Sequence, residues 1–160
     1  MNDKKSLAFA EYSLILGDLV KGKTDSVIYK IDNSEIFENI KATDTVVYYK
    51  LQFAKANALN RINKRTEALD LQLKILTEAE KDGNINSQLF ALNFIGATYL
   101  NVNKLAEARK TWLNGLEIIK QKNNSANEEI EVYILSNLAL YYFDNYTAAP
   151  KKEEIGRAHV

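Results

Sequence analysis

The sequence predicts an all-α fold of stacked helix pairs, and three observations favour it. Apolar residues recur every three or four positions along most of the chain, as they do on one face of an amphipathic helix. One Pro and six Gly among 160 residues leave long stretches free to form helices. Similar turn segments also recur about every 40 residues, before Val27, Ala68 and Ala108, which is typical of a helical repeat array.

The composition of the chain disfavours several classes of function. The 21 basic and 21 acidic residues cancel, so no excess charge indicates nucleic acid or a membrane surface as partner. The chain has no cysteine, and its one histidine is His159, so we expect no enzyme activity, no metal site and no cofactor. No signal peptide and no transmembrane span are predicted, which favours a cytoplasmic location.

The helices are predicted from the apolar period and from polar turn segments. We expect them at residues 4–21, 25–40 with a break near Asp32, about 44–62, 64–82, 87–101, 104–122 and 128–143, and a last one beginning near Thr147.

Several residues at the predicted helix ends are of types that begin or end helices. Thr43 or Asp44 is expected to cap the third of these helices, and Gly83 to end the fourth in a left-handed conformation. Asn63 and Asn103 are expected to be N-caps because Asn is favoured there. The core face of helix 128–143 is predicted at Val132, Leu135, Leu138, Ala139 and Tyr142.

The central stretch resembles a known repeat family. Leu92, Ile95, Gly96 and Tyr99, followed by Ala108 and Trp112, resemble the tetratricopeptide repeat pattern W-x2-L-G-x2-Y…A-x3-F…P. Leu92 stands where that pattern has its first Trp, and Lys120 where it has its Pro. The resemblance implies a right-handed α-solenoid of about four antiparallel helix pairs over residues 1–153.

The resemblance also implies a function for the repeat domain. Tetratricopeptide repeats bind protein or peptide partners, and repeats of about 40 residues resemble sensory arrays that precede an output domain in bacterial signalling proteins. Residues 154–160 resemble a translated sequencing-adapter oligonucleotide, so we interpret them as a non-native tail. On that interpretation the repeat domain is truncated and a downstream output domain is missing.

Two alternatives stay open. Residues 17–24 match the phosphate-binding loop G-x4-G-K-[ST], in which Lys23 would reach phosphates and Thr24 would meet magnesium. Bulky Leu19 and Val20, and the lack of strand–helix alternation, disfavour this nucleotide-binding alternative. The other alternative is a purely structural spacer.

The candidate partner site is the concave surface that the resemblance implies. In such arrays the first helix of each pair lines this surface. With Ala56, Gly96 and Ala139 placed on the core side, another face of these helices is left for a partner. That face contains Lys50, Phe53, Asn57, Asn60, Arg61, Phe90, Asn93, Ala97, Asn101, Tyr133 and Ser136. Asn and Arg side chains suit peptide backbone and carboxylate groups.

Overall fold

A computed structural model describes residues 2–37, 40–122 and 128–148 of the chain. Within these ranges all regular secondary structure is helical, which confirms the all-α prediction. The helices are α1 (Asn2–Val20), α2 (Thr24–Asn33), α3 (Ile40–Thr43), α4 (Thr45–Arg61), α5 (Arg65–Lys81), α6 (Ile85–Asn101), α7 (Leu105–Lys122) and α8 (Glu128–Ala148). The expected break after Asp32 is present, because α2 ends at Asn33.

The helices pack mainly on their neighbours in sequence. Helix α6 lies against α5 and α7, and α8 lies against α6 and α7. Buried residues accordingly form three clusters along the chain: one shared by α1 to α4, one by α4 to α6, and one by α6 to α8. The first helices of successive pairs, α1, α4, α6 and α8, also contact one another in that order.

The pairing of α6 with α7 agrees with the sequence prediction. Ala108 and Trp112 of α7 are fully buried, and Leu92 and Ile95 of α6 are nearly so. The Trp112 indole Nε1 donates a hydrogen bond to the Asn93 carbonyl oxygen over 3.2 Å. This bond, together with the buried ring, fixes the position of α7 on α6.

A left-handed residue forms the turn between helices at four places. Gly22, Asn63, Gly83 and Asn103 have φ of 74°, 61°, 64° and 59°. The next residue in each case donates its N–H to a carbonyl of the helix just ended, as Lys64 does to Leu59 over 2.9 Å. This is the Schellman C-terminal motif.

The role predicted for Gly83 is therefore confirmed, but the N-cap prediction for Asn63 and Asn103 is wrong. Both residues end a helix rather than begin one, and Lys64 stands at the N-cap of α5. The reason is that Asn tolerates the left-handed conformation better than other non-glycine residues. The same residue type thus suits both ends of a helix.

Two other helix starts do have side-chain caps. The Asp44 carboxylate accepts a hydrogen bond from the Val47 N–H over 3.1 Å, as predicted for the start of α4. The Asn84 side chain accepts one from the Ser87 N–H over 3.0 Å at the start of α6. These bonds satisfy N–H groups that have no partner within the helix.

The predicted core face of α8 is mostly wrong. Leu138 is buried, but Val132, Leu135, Ala139 and Tyr142 are exposed. The side of α8 that packs against α6 and α7 instead contains Ile130, Ile134 and Leu138. The helix has apolar residues on both sides, and within the described residues only one side is covered.

The prediction that a last helix begins near Thr147 is also wrong. Helix α8 continues to Ala148, so Thr147 lies inside α8 and does not begin another helix. The predicted last helix beyond that point and the predicted tail at 154–160 lie outside the described residues.

Candidate functional site

A pocket of about 510 Å³ lies between α1, α4 and α6. We call it the groove pocket. It is lined by Tyr12, Leu16, Leu19, Val46, Tyr49, Lys50, Phe53, Ala54, Asn57, Asn84, Asn86, Ser87, Phe90 and Phe94. Three consecutive first helices therefore contribute to one apolar concavity, and its volume is in the range of ligand sites in proteins.

Helical spacing explains why these side chains meet. On α4, Lys50, Phe53 and Asn57 are three and four residues apart, so they lie on one face. The opposite side of α4 is buried through Ala56 and Leu59, as predicted.

Three phenylalanine rings form the aromatic part of the pocket. The Phe53 ring centroid lies 6.0 Å from that of Phe90 and 5.4 Å from that of Phe94. These distances are typical of interacting aromatic pairs. All three side chains stay partly exposed, so a ligand can still contact them.

Four of the predicted site residues line the pocket: Lys50, Phe53, Asn57 and Phe90. The Lys50 ammonium lies 5.9 Å from the Phe9 ring centroid and 5.8 Å from the Tyr12 ring centroid. These are cation–π distances. The aromatic residues of α1 thus hold this charge at the pocket.

Three further predicted residues form bonds between elements instead. The Asn60 amide donates to the Thr98 hydroxyl over 3.1 Å and so joins α4 to α6. Arg61 donates to the Asn57 side-chain oxygen over 3.1 Å and to the Leu19 carbonyl of α1. The Asn93 side-chain oxygen accepts a bond from Asn137 over 2.8 Å, between α6 and α8.

The remaining predicted residues lie away from the pocket. Ala97 is partly buried against the cluster shared by α6 to α8. Asn101 is exposed at the last position of α6. Tyr133 and Ser136 are exposed on α8, where the Tyr133 hydroxyl donates to Glu129 over 3.3 Å.

Sequence reasoning missed the contribution of α1. Tyr12, Leu16 and Leu19 line the pocket, but the repeat pattern is weak in the first helix pair, where Asp18 stands at the position of Leu59 and Tyr99. Burial raises the pKa of Tyr12. Phe94 was missed as well, although its position four residues after Phe90 places both rings on one helix face.

The phosphate-loop alternative does not fit the geometry. Residues 17–20 lie inside α1, and Gly22 forms the turn that follows. The N–H groups of Lys21, Gly22 and Lys23 donate to carbonyls of α1, so they are not available to bind a phosphate. Two lysines, Lys23 and Lys30, lie 3.9 Å and 2.6 Å from the Asp18 carboxylate.

Comparison with protein-family models, curated proteins and solved structures gives no match to this chain. Within the part of the chain that the structure describes, no three acidic or histidine side chains are grouped as metal ligands. In the same part, none of the helices combines the length and the apolar character needed to cross a bilayer.

Proposed function

We propose that this chain is a protein-interaction module of the tetratricopeptide type, a right-handed array of helix pairs that holds a peptide segment of a partner in the groove pocket. The observation that supports this best is the pocket itself, which is shared by the first helices α1, α4 and α6. In a stacked array these helices line the concave side.

The lining chemistry favours a peptide. Aromatic rings at Phe53, Phe90 and Phe94 offer an apolar seat for one large side chain, and burying such a side chain contributes about 1.5–3 kcal/mol. Amides at Asn57 and Asn84 offer hydrogen bonds to a peptide backbone. Apolar anchors with a few polar groups around them are typical of ligand sites.

The repeat length suggests where such a module is used. Repeats of about 40 residues are the reason to place it in the sensory or regulatory part of a bacterial signalling protein. There, capture of a partner segment would be the input.

The proposal can be tested without a known partner. Peptides that bind the purified chain are selected from a random display library, and the strongest binder is measured by calorimetry. We expect Phe90→Ala to weaken binding at least about tenfold, because one lost aromatic contact of about 1.4 kcal/mol equals a factor of ten.

A second variant and a control distinguish a loss of binding from a loss of folding. Val46 lines the pocket and is 59% exposed, so Val46→Arg obstructs the pocket with no cost to the core. Tyr29 on α2 is 68% exposed and lies outside the pocket, so Tyr29→Ala is the matched control. Binding unchanged in both Val46→Arg and Phe90→Ala would contradict the proposal.

A further inference from the structure

The groove pocket has one charged residue among those that line it, and this residue is the cation Lys50. Among the residues that the structure describes, no aspartate or glutamate lines it. A ligand that places an anionic group here meets an attractive charge and no repulsive one.

Lys50 differs from the other lysine of α4. Lys55 forms an ion pair with Asp32 of α2. For Lys50, the structure gives no carboxylate within ion-pair distance among the described residues; its recorded contacts are the Phe9 and Tyr12 rings. An ammonium group held over aromatic rings keeps its donors available for an acceptor.

Two asparagines of the pocket can donate hydrogen bonds beside Lys50. The Asn57 side-chain oxygen accepts from Arg61, and the Asn84 side-chain oxygen accepts from the Ser87 N–H. Among the described residues neither side-chain NH2 group forms a hydrogen bond, so both asparagines can donate to a ligand.

Resting on the proposed peptide-holding function, we propose that the groove pocket selects an acidic peptide: an aromatic or large aliphatic side chain sits among Phe53, Phe90 and Phe94, and a neighbouring carboxylate binds the Lys50 ammonium. The amide donors of Asn57 and Asn84 then bind carbonyl oxygens of the peptide backbone. Lys50 and Phe53 are one helical turn apart, a rise of about 4.5 Å. In an extended peptide, side chains two residues apart lie on one side and about 7 Å from each other.

The experiment uses two blocked peptides that differ in one group, Ac-Ala-Ser-Phe-Thr-Glu-Ser-Ala-NH2 and its Gln counterpart. Each is titrated into the ¹⁵N-labelled chain and followed by amide chemical shifts. We expect both to shift amides of α4 and α6, and the Glu peptide to bind about three- to tenfold more tightly, as a partly exposed ion pair allows.

Variants identify the group responsible. Lys50→Gln should remove the preference for the Glu peptide, and Lys50→Glu should reverse it in favour of a Lys peptide. Lys110 is exposed on α7, so Lys110→Gln makes the same change in net charge away from the pocket and should keep the preference.

Each other outcome overturns the inference. Equal affinity for the Glu and Gln peptides, insensitive to Lys50→Gln, would exclude carboxylate selection while leaving the peptide-holding function intact. Shifts confined to α8, whose Val132, Leu135 and Phe143 are exposed, would place the apolar seat elsewhere. Failure of both peptides to shift any amide would exclude the Phe-x-Glu ligand, and the library selection would then decide the proposed function separately.

Discussion

At the scale of single residues, Gly96 is a position where packing leaves no room for a side chain. A Cβ atom added there would lie 2.4 Å from Trp112 Nε1 and 2.6 Å from Trp112 Cε2. Trp112 is fully buried and bonded to the Asn93 carbonyl, so it has little freedom to move. Glycine at this position is therefore a consequence of the close contact between α6 and α7.

We expect Gly96→Leu to lower the free energy of unfolding by about 1–3 kcal/mol, because overpacking forces the two helices apart. Urea denaturation measures the change. Ala139→Leu is the matched control, since Ala139 lies 43 residues later on α8 and is exposed. Equal stability of the two variants would show that the contact between Gly96 and Trp112 does not limit side-chain size.

Some residues allowed a structural prediction and others did not. Gly96 and Trp112 could be assigned to the contact between two paired helices because both match positions of the tetratricopeptide pattern. Asn63 and Asn103 could not be assigned correctly, because asparagine suits both an N-cap and a left-handed helix end. Arg61 was predicted to face a partner, but its bonds to Asn57 and Leu19 depend on the position of α1, which the sequence did not give.

At the scale of elements, a polar network joins α3, α4 and α5. The Lys41 ammonium lies 3.0 Å from the Glu78 carboxylate and 3.1 Å from that of Asp82. The hydroxyls of Tyr48 and Tyr49 donate to Glu78 and Asp82 over 2.6 Å and 2.8 Å. Such charge-assisted bonds are stronger than neutral ones, so this network fixes the short helix α3 on the pair α4 and α5.

The network makes the free energy of unfolding depend on pH. Burial raises the pKa of Glu78, but bonds from Tyr48 and Lys41 outweigh it and hold the pKa below the usual 4.5. Bonds from Tyr49 and Lys41 hold the pKa of Asp82 below the usual 3.8. A carboxylate whose pKa is lowered by folding stabilises the fold above its unfolded pKa, and that contribution is lost as the pH falls through the folded value.

We therefore expect the unfolding free energy to fall as the pH drops below about 5, where the unfolded chain begins to take up protons, and to fall less in Lys41→Met, which lacks one of the stabilising charges. Urea denaturation at a series of pH values and low ionic strength provides the comparison. An identical pH dependence in the two proteins would mean that Lys41 does not stabilise the ionised carboxylates.

The core face of α8 could not be predicted from the repeat pattern. Leu135, Ala139 and Tyr142 follow Leu92, Gly96 and Tyr99 by 43 residues, so their prediction as core was consistent with the repeat. In α6 the equivalent face is covered by α7, whereas the described residues include no helix after α8. An apolar face indicates that another element can pack on it. The pattern alone does not show whether a helix covers that face.

At the scale of the whole molecule, the buried residues that the structure describes form three clusters, which follow one another along the chain. Most helices pack on their neighbours in sequence, and α1, α4, α6 and α8 also contact one another in that order. This arrangement leaves one side of α1, α4 and α6 uncovered. The groove pocket is a product of that stacking.

The sequence predicted part of this pocket. The α4 and α6 residues Phe53, Asn57 and Phe90 were found because the repeat pattern assigned a register to both helices. Tyr12 and Leu16 of α1 were not found, since that pattern is weak in the first pair. The register of one helix can be read from its own period, but the distance between helices far apart in sequence requires the fold.

Binding of the partner in the groove pocket is tested most directly by a map of amide chemical shifts. A peptide selected on the intact chain is titrated into ¹⁵N-labelled protein, and each amide shift is placed on the structure. We predict the largest shifts at Lys50, Phe53, Asn57, Phe90 and Phe94, with α5 and α7 nearly unaffected. The largest shifts on α5, α7 or the exposed side of α8 would contradict the claim and place the interaction surface outside the groove pocket.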